Sequence, residues 1–363
     1  MEPFPTEIDE IVRQHFTIVE WKIQFGILTY VVKDEDTKSR FLKLYSILDT
    51  KGYVPVLRNE YGKKVLRVFK RQERPRHRPL WNIVLLLATM ASVTFAGYLF
   101  TMGGIYETID PSFGKYRILH LIAYVASIFF VLGVHELGHK IACTKHNLKS
   151  TPPYFIPGPP EIGGSLGAVM IQETPILNRD QLFDLGLTGP LLSFIASIIV
   201  TFVGLSLSYF VPEDLVLSWI EQGQVSVLPL EPLLFAIIRT EIVSLLQTPF
   251  KQALIIHPIA FAGWVGMLIT FLNTLPVGQL DGGHVTRALL DSRKHIFVSI
   301  IAVVIMIMTG FIFMAFVALL ILFRGHPGPL DDVSPLSRSR RVLFILLPIM
   351  CGLCFSSITF RVL

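Results

Sequence analysis

Hydrophobic and polar positions along this chain follow two regimes. Up to about residue 75, short apolar and polar stretches alternate. Glu7–Phe16 and Thr37–Leu48 predict helices, while Phe25–Val32, Tyr53–Leu57 and Lys64–Phe69 predict strands, the last two joined around Asn59–Gly62. Beyond that point the chain carries runs without a single Lys, Arg, Asp or Glu, at Leu80–Met102, Leu185–Pro212, Gln252–Leu280, Ile296–Phe323 and Val342–Phe360, with a shorter one at Ile118–Val134. A helix needs about 20 apolar residues to cross a hydrocarbon layer of roughly 30 Å. The pattern therefore predicts a polytopic α-helical membrane protein with about six transmembrane helices, preceded by a small N-terminal α+β domain.

The interruptions in this pattern are as informative as the runs. The second span begins near Tyr116 and continues through His135, Glu136 and His139 to about Lys145, so three ionisable groups close an otherwise apolar helix. Such groups are costly in a membrane unless they face the protein interior and have partners, which points to a site. Residues 151–171 hold too much proline and glycine for a span, yet stay mostly apolar. They predict a short membrane-associated β or extended element protected by the bundle. Gly186, Gly189 and Gly204 in the third span allow close helix packing, and Leu228–Leu246 reads as an interfacial or re-entrant helix. Gln252–Thr274 is expected as the fourth span, broken at Pro276, with Ile296–Phe323 and Val342–Phe360 as the last two. The expected division is residues 1–75 as a cytoplasmic α+β domain, 76–290 as the membrane core and 291–363 as C-terminal helices, with Arg74–Pro79 as linker.

Composition narrows the choice. With 52% hydrophobic and only 16% charged residues in 363, a soluble enzyme is excluded. The net charge of +5 sits entirely before residue 80, where eight basic residues crowd Lys63–Arg78 against Glu73 alone. Without stacking aromatics this is not a nucleic-acid surface. It fits the positive-inside rule and anionic lipid, placing the N-terminal domain in the cytoplasm. A second basic loop at Arg324, Arg338, Arg340 and Arg341 conflicts with simple alternation of spans. The three cysteines, Cys143, Cys351 and Cys354, read as buried small hydrophobes rather than as a disulfide framework, and no signal peptide is expected at the N-terminus.

His135-Glu136-Leu137-Gly138-His139 carries the chemistry. Four residues apart on a helix, His135 and His139 share a face and can present two imidazole nitrogens to one zinc ion, with Glu136 placed to handle the proton of an attacking water. A third protein ligand is missing. Asp281, after the Asn273-Thr-Leu-Pro276 break and before Gly282-Gly283, is the candidate; His284, His257 and His120 are rivals, and His326 with Asp331 and Asp332 could form a second divalent-ion patch or a simple polar turn. Asn273 could donate to a scissile carbonyl oxygen as charge develops, or only satisfy backbone freed by Pro276. Gly163–Ala168 could expose a strand edge to an unwound substrate, or merely close the cavity. A zinc-dependent transporter or channel would use similar groups, but is expected to spread its ligands along several spans; a receptor that sequesters peptide helices is the other alternative.

These motifs together resemble the site-2 protease family of intramembrane zinc metalloproteases. The resemblance rests on the His135–His139 motif, the Gly-Ser-Leu-Gly-Ala run at 164–168 and Asn273-Thr-Leu-Pro-Val-Gly-Gln-Leu-Asp-Gly-Gly283, and covers about residues 80–290. It implies that His135, His139 and Asp281 bind catalytic zinc, that Glu136 is the base, and that the substrate is a transmembrane protein cleaved within or near its spanning segment in the lipid bilayer. No PDZ insertion separates the two motifs here, unlike in many members.

Overall fold

The computed structural model describes residues 6–24, 26–71, 79–225, 227–228, 230–246 and 252–355. The expected linker up to Arg78, Phe25 and the end of the last apolar run lie outside them. The N-terminal domain contains α1 (Thr6–His15), β1 (Ile18–Gln24), β2 (Ile27–Val32), α2 (Thr37–Thr50), β3 (Tyr53–Glu60) and β4 (Lys63–Lys70). Its antiparallel sheet has the order β1-β2-β4-β3, with β3 and β4 turning at Tyr61 and Gly62, both at positive φ. Tyr30, Leu57 and Leu66 from the sheet bury against Phe41, Leu44 and Leu48 of α2. β1 was not among the expected strands, although Val19, Trp21 and Ile23 alternate with polar neighbours; all three remain exposed.

The helical part follows as α3 (Pro79–Met102), α4 (Ile105–Ile109), α5 (Pro111–Lys115), α6 (Arg117–Lys145), β5 (Tyr154–Pro157), β6 (Ser165–Val169), α7 (Arg179–Ser206), β7 (Tyr209–Pro212), α8 (Glu213–Glu221), α9 (Leu233–Leu245), β8 (Gln252–Ile255), α10 (Pro258–Thr274), α11 (Asp281–Leu289), α12 (Ser292–Met308), α13 (Ile312–Phe323), α14 (Arg338–Leu343) and α15 (Leu346–Cys354). Segments Pro79–Ile109, Arg117–Lys145 and Arg179–Ser206 are long and apolar enough to cross a membrane, and Pro258–Thr274 and Met314–Phe323 are shorter apolar helices. The architecture is that of a polytopic helical membrane protein. α7 and α10 cross closely because glycine faces backbone: a Cβ on Gly204 would lie 2.1 Å from the Ala260 nitrogen, and one on Gly263 2.7 Å from that of Thr201.

Three expected spans are drawn differently: among the described residues Val342–Phe360 is not one helix but the end of α14 and α15, parted by a turn at 344–345. Residues 252–255 are not helical but pair as β8 with β7, and α10 begins only at Pro258, after the His257 side chain has capped the Ile259 N–H. Ile296–Phe323 is not one rod. It breaks at Gly310, whose φ of +86° suits glycine, and α13 folds back beside α12, so that the rings of His295 before the run and His326 after it lie 5.6 Å apart. This reversal returns the chain to the face it left. The segment after Arg324 therefore lies against the N-terminal domain, where Thr37 Oγ1 and Ser334 Oγ are 2.8 Å apart, while Lys38 and Arg340 both reach α7, at Asp180 and Asp184, each at 2.6 Å. The hydrogen bond to Asp184 raises the Arg340 guanidinium above its ordinary pKa.

Candidate metal centre

α6 delivers His135, Glu136 and His139, all buried, at its last turns. Their ligating atoms lie within 4.8 Å of one another. What aims them is α7. His139 Nδ1 lies 2.9 Å from the carbonyl oxygen of Leu185, which only accepts, so Nδ1 carries the proton. Ser193 Oγ donates to the Pro190 carbonyl at 3.1 Å and receives His135 Nδ1–H at 3.1 Å. Both Nε2 atoms are thereby left with lone pairs, and they face each other at 3.0 Å. Asp281, first residue of α11, places Oδ2 3.2 Å from His135 Nε2 and 3.4 Å from His139 Nε2. A tetrahedron with bonds of about 2.0–2.2 Å has edges of about 3.3–3.6 Å; the two nitrogen–oxygen separations lie close to that range and the nitrogen–nitrogen one falls short of it. Glu136 Oε2 is buried without a hydrogen-bond partner among the described residues.

Close approach of the three helices depends on absent side chains. A Cβ on Gly189 would fall 2.4 Å from His139 Nε2, one on Gly138 2.5 Å from the Thr188 carbonyl oxygen, and one on Gly186 2.6 Å from the Asp281 carbonyl oxygen. Gly282 meets the Thr274 carbonyl in the same way, which brings half-buried Asn273 at the end of α10 to the start of α11. Asn273 has no side-chain hydrogen bond among those found in the structure.

The glycine-rich segment forms the hairpin β5–β6, strapped to α3 by Asn82, which donates to the Pro152 and Pro153 carbonyls, and by Ser92, which donates to that of Gly158. Tyr124 of α6 donates to the Gly163 carbonyl at 3.1 Å, and Gln172 meets Cys143 of α6 at 3.6 Å. The stretch from Gly163 to Gln172 thus runs along α6 from below the histidines to beyond them. Among the described residues nothing pairs with the second edge of β6. Gly164 serves packing on α3, since its Cβ would lie 2.6 Å from the Ser92 carbonyl oxygen, whereas Gly167, with φ +103°, faces open space.

The rival ligands are engaged elsewhere. His257 Nε2 meets His120 Nδ1 at 3.0 Å, and His284 Nδ1 meets His326 Nε2 at 2.8 Å. The second patch is absent, because Asp331 accepts from the Val333 and Ser334 N–H groups and Asp332 binds Arg287. Cys143 is buried one turn beyond His139, among Ala142, Leu148 and Leu185.

The model of peptidase family M50 matches residues 123–317, more than half of the chain, with both motifs inside it. The chain belongs to peptidase family M50. The expected kinship with site-2-protease-like intramembrane zinc metalloproteases is borne out. Among similar M50-type proteins are the probable zinc metallopeptidase EGY3, chloroplastic, of Arabidopsis thaliana, 24% identical over 75% of this chain and 48% of its own length. The probable zinc metalloprotease EGY2, chloroplastic, of Oryza sativa subsp. indica is 29% identical over 57% of this chain and 36% of its own. The corresponding EGY1 of Arabidopsis thaliana is 34% identical over 43% and 28%. The chain spans less than half the length of these relatives. Ser193, the Leu185 carbonyl and Gly138 are the features of this site that sequence reasoning missed; only the glycine sits within a recognisable motif.

Proposed function

We propose that this M50 protein is a zinc-dependent endopeptidase that hydrolyses peptide bonds within or near transmembrane segments of another membrane protein. The observation that carries the reading is the convergence of two lone-pair nitrogens and a carboxylate oxygen beside the unpartnered Glu136 oxygen. In this reading His135, His139 and Asp281 hold the zinc. Bound zinc supplies a Lewis acid that polarises the scissile carbonyl and acidifies a water. Glu136 takes the proton of the attacking water and returns it to the departing amide nitrogen. Asn273 donates to the carbonyl oxygen as negative charge develops. A substrate helix hides its carbonyls in its own hydrogen bonds, so it must unwind, and the free edge of β6 offers backbone partners to the extended form.

α10, the α12–α13 hairpin and α15 complete a bundle of about six membrane-embedded segments in this account, and the basic residues before the first span support a cytoplasmic N-terminal domain. Residues 76–290 act as the protease core, with 1–75 and 291–363 attached to it. In reconstituted bilayers the purified protein is expected to cut a transmembrane substrate, lose cleavage to a chelator and regain it with zinc. Zinc flux without any cleavage by the zinc-loaded protein would reject the peptidase reading in favour of a transporter.

A further inference from the structure

The N-terminal domain does not end at its own sheet. β3 is an edge strand, and its Leu57 N–H donates to the Leu330 carbonyl at 2.9 Å while the Asp332 N–H donates back to that of Leu57 at 3.1 Å. The opposite side of the same segment pairs with the strand entering α7: Leu330 N–H meets the Ile176 carbonyl at 2.9 Å and Asp331 N–H that of Leu177 at 2.8 Å. Residues 330–332 are thus the middle strand of a parallel patch joining the domain to the membrane core. Leu177, Leu330 and Val333 pack on the domain's hydrophobic core. Arg58 donates to the Pro329 and Leu330 carbonyls at 2.8 Å each.

The Asp332 side chain points the other way. It receives two hydrogen bonds, of 3.0 and 2.5 Å, from Arg287, which is only 2% exposed, and an ion pair from Arg179 at 3.2 Å. Arg179 also reaches the Ala288 and Leu289 carbonyls that end α11. Arg287 follows Asp281 on the same nine-residue helix, about 9 Å along its axis, so the two move together. Gly328 passes directly over the guanidinium, where a Cβ would lie 2.5 Å from Nη2.

We infer that Arg287 and Asp332 are positioning residues for the metal centre, and that the N-terminal domain holds their clamp closed by keeping 330–332 paired to β3. The clamp fixes where α11 presents Asp281 to the two histidines; the inference rests on the reading of Asp281 as a zinc ligand. Undocking β3 loosens zinc without touching any ligand, which makes the domain a control element for the protease core.

The test uses the full-length, zinc-loaded chain and measures zinc transfer to a chelator together with hydrogen exchange along α11. Arg58→Ala loosens the clamp from the domain side. The double variant Arg287→Met with Asp332→Leu removes it without leaving a buried unpaired charge. Each is expected to weaken zinc retention about tenfold or more, to raise exchange in α11 but not in α6, and to recover turnover in saturating zinc. Unchanged zinc transfer and α11 exchange in folded Arg58→Ala overturn the clamp, and this variant decides if the double variant does not fold. Asp281→Asn separates the two layers: if it loses zinc while the clamp variants keep it, the clamp alone fails; if it too keeps zinc, the ligand assignment fails.

Discussion

His135 and His139 spend their Nδ1 protons outward, on Ser193 and on the Leu185 carbonyl, and turn both Nε2 lone pairs toward Asp281. The neighbouring histidines His284, His295 and His326 are arranged differently. The Gly328 N–H donates to His326 Nδ1 at 2.9 Å, so the neutral ring carries its proton on Nε2 and donates it to His284 Nδ1 at 2.8 Å. Burial holds His326 neutral, lowering its pKa to about 2 with help from His284, His295 and Arg287. His295 Nδ1 meets Thr286 Oγ1, whose own proton goes to the Gly282 carbonyl, and its Nε2 has no partner among the described residues. Three imidazoles lie together, yet no two lone pairs meet at a carboxylate. Where the neighbours direct each ring's proton, rather than how many rings gather, makes one cluster a candidate metal centre and the other a hydrogen-bonded chain.

The strongest way to break that contrast is to remove a ligand. His139→Ala is expected to abolish zinc binding and reduce cleavage to background, read by metal analysis and by product formation on the same sample. Next comes the strand beside the centre. Gly167→Val is expected to cut substrate turnover strongly with zinc content unchanged, because its Cβ enters open space beside β6 at a φ that only glycine adopts easily. Gly164→Val should instead disturb packing against α3, visible as a loss of folded protein. A smaller effect is expected from Ser193→Ala, which frees His135 Nδ1 and should weaken zinc affinity about 10–100-fold. The smallest concerns the second cluster: His326→Ala should leave one zinc per chain, and loss of a second equivalent would show that this cluster also holds metal.

The candidate metal centre was readable in proportion to how locally its residues are written. His135, Glu136 and His139 sit within one turn and a half of helix, and their spacing alone puts them on one face. Asp281 lies far along the chain, and what singled it out was the break at Pro276 with the glycines after it and the family resemblance. The Leu185 carbonyl could not be found, since any residue supplies a carbonyl there and only the fold decides which one faces His139. Hydropathy located the apolar run at Ile296–Phe323 but is blind to direction, so the reversal at Gly310 was invisible. In the N-terminal domain both helices and three strands follow the pattern, while β1 escaped notice although Val19, Trp21 and Ile23 alternate as a strand should. For Gly163–Ala168 the sequence keeps both alternatives open, because a glycine does not reveal whether substrate or a neighbouring helix needs the space; at Gly164 it is α3.

In the proposed site Glu136 separates metal binding from hydrolysis more cleanly than any other position, because it lies beside the three candidate ligands without replacing one. Cleavage of a reconstituted transmembrane substrate should be measured for wild type and Glu136→Gln at matched zinc content and matched folded fraction. The account predicts zinc retention close to wild type with turnover lowered by about 10²-fold or more, the scale of a lost general base. Wild-type turnover by the folded, zinc-loaded variant would contradict it.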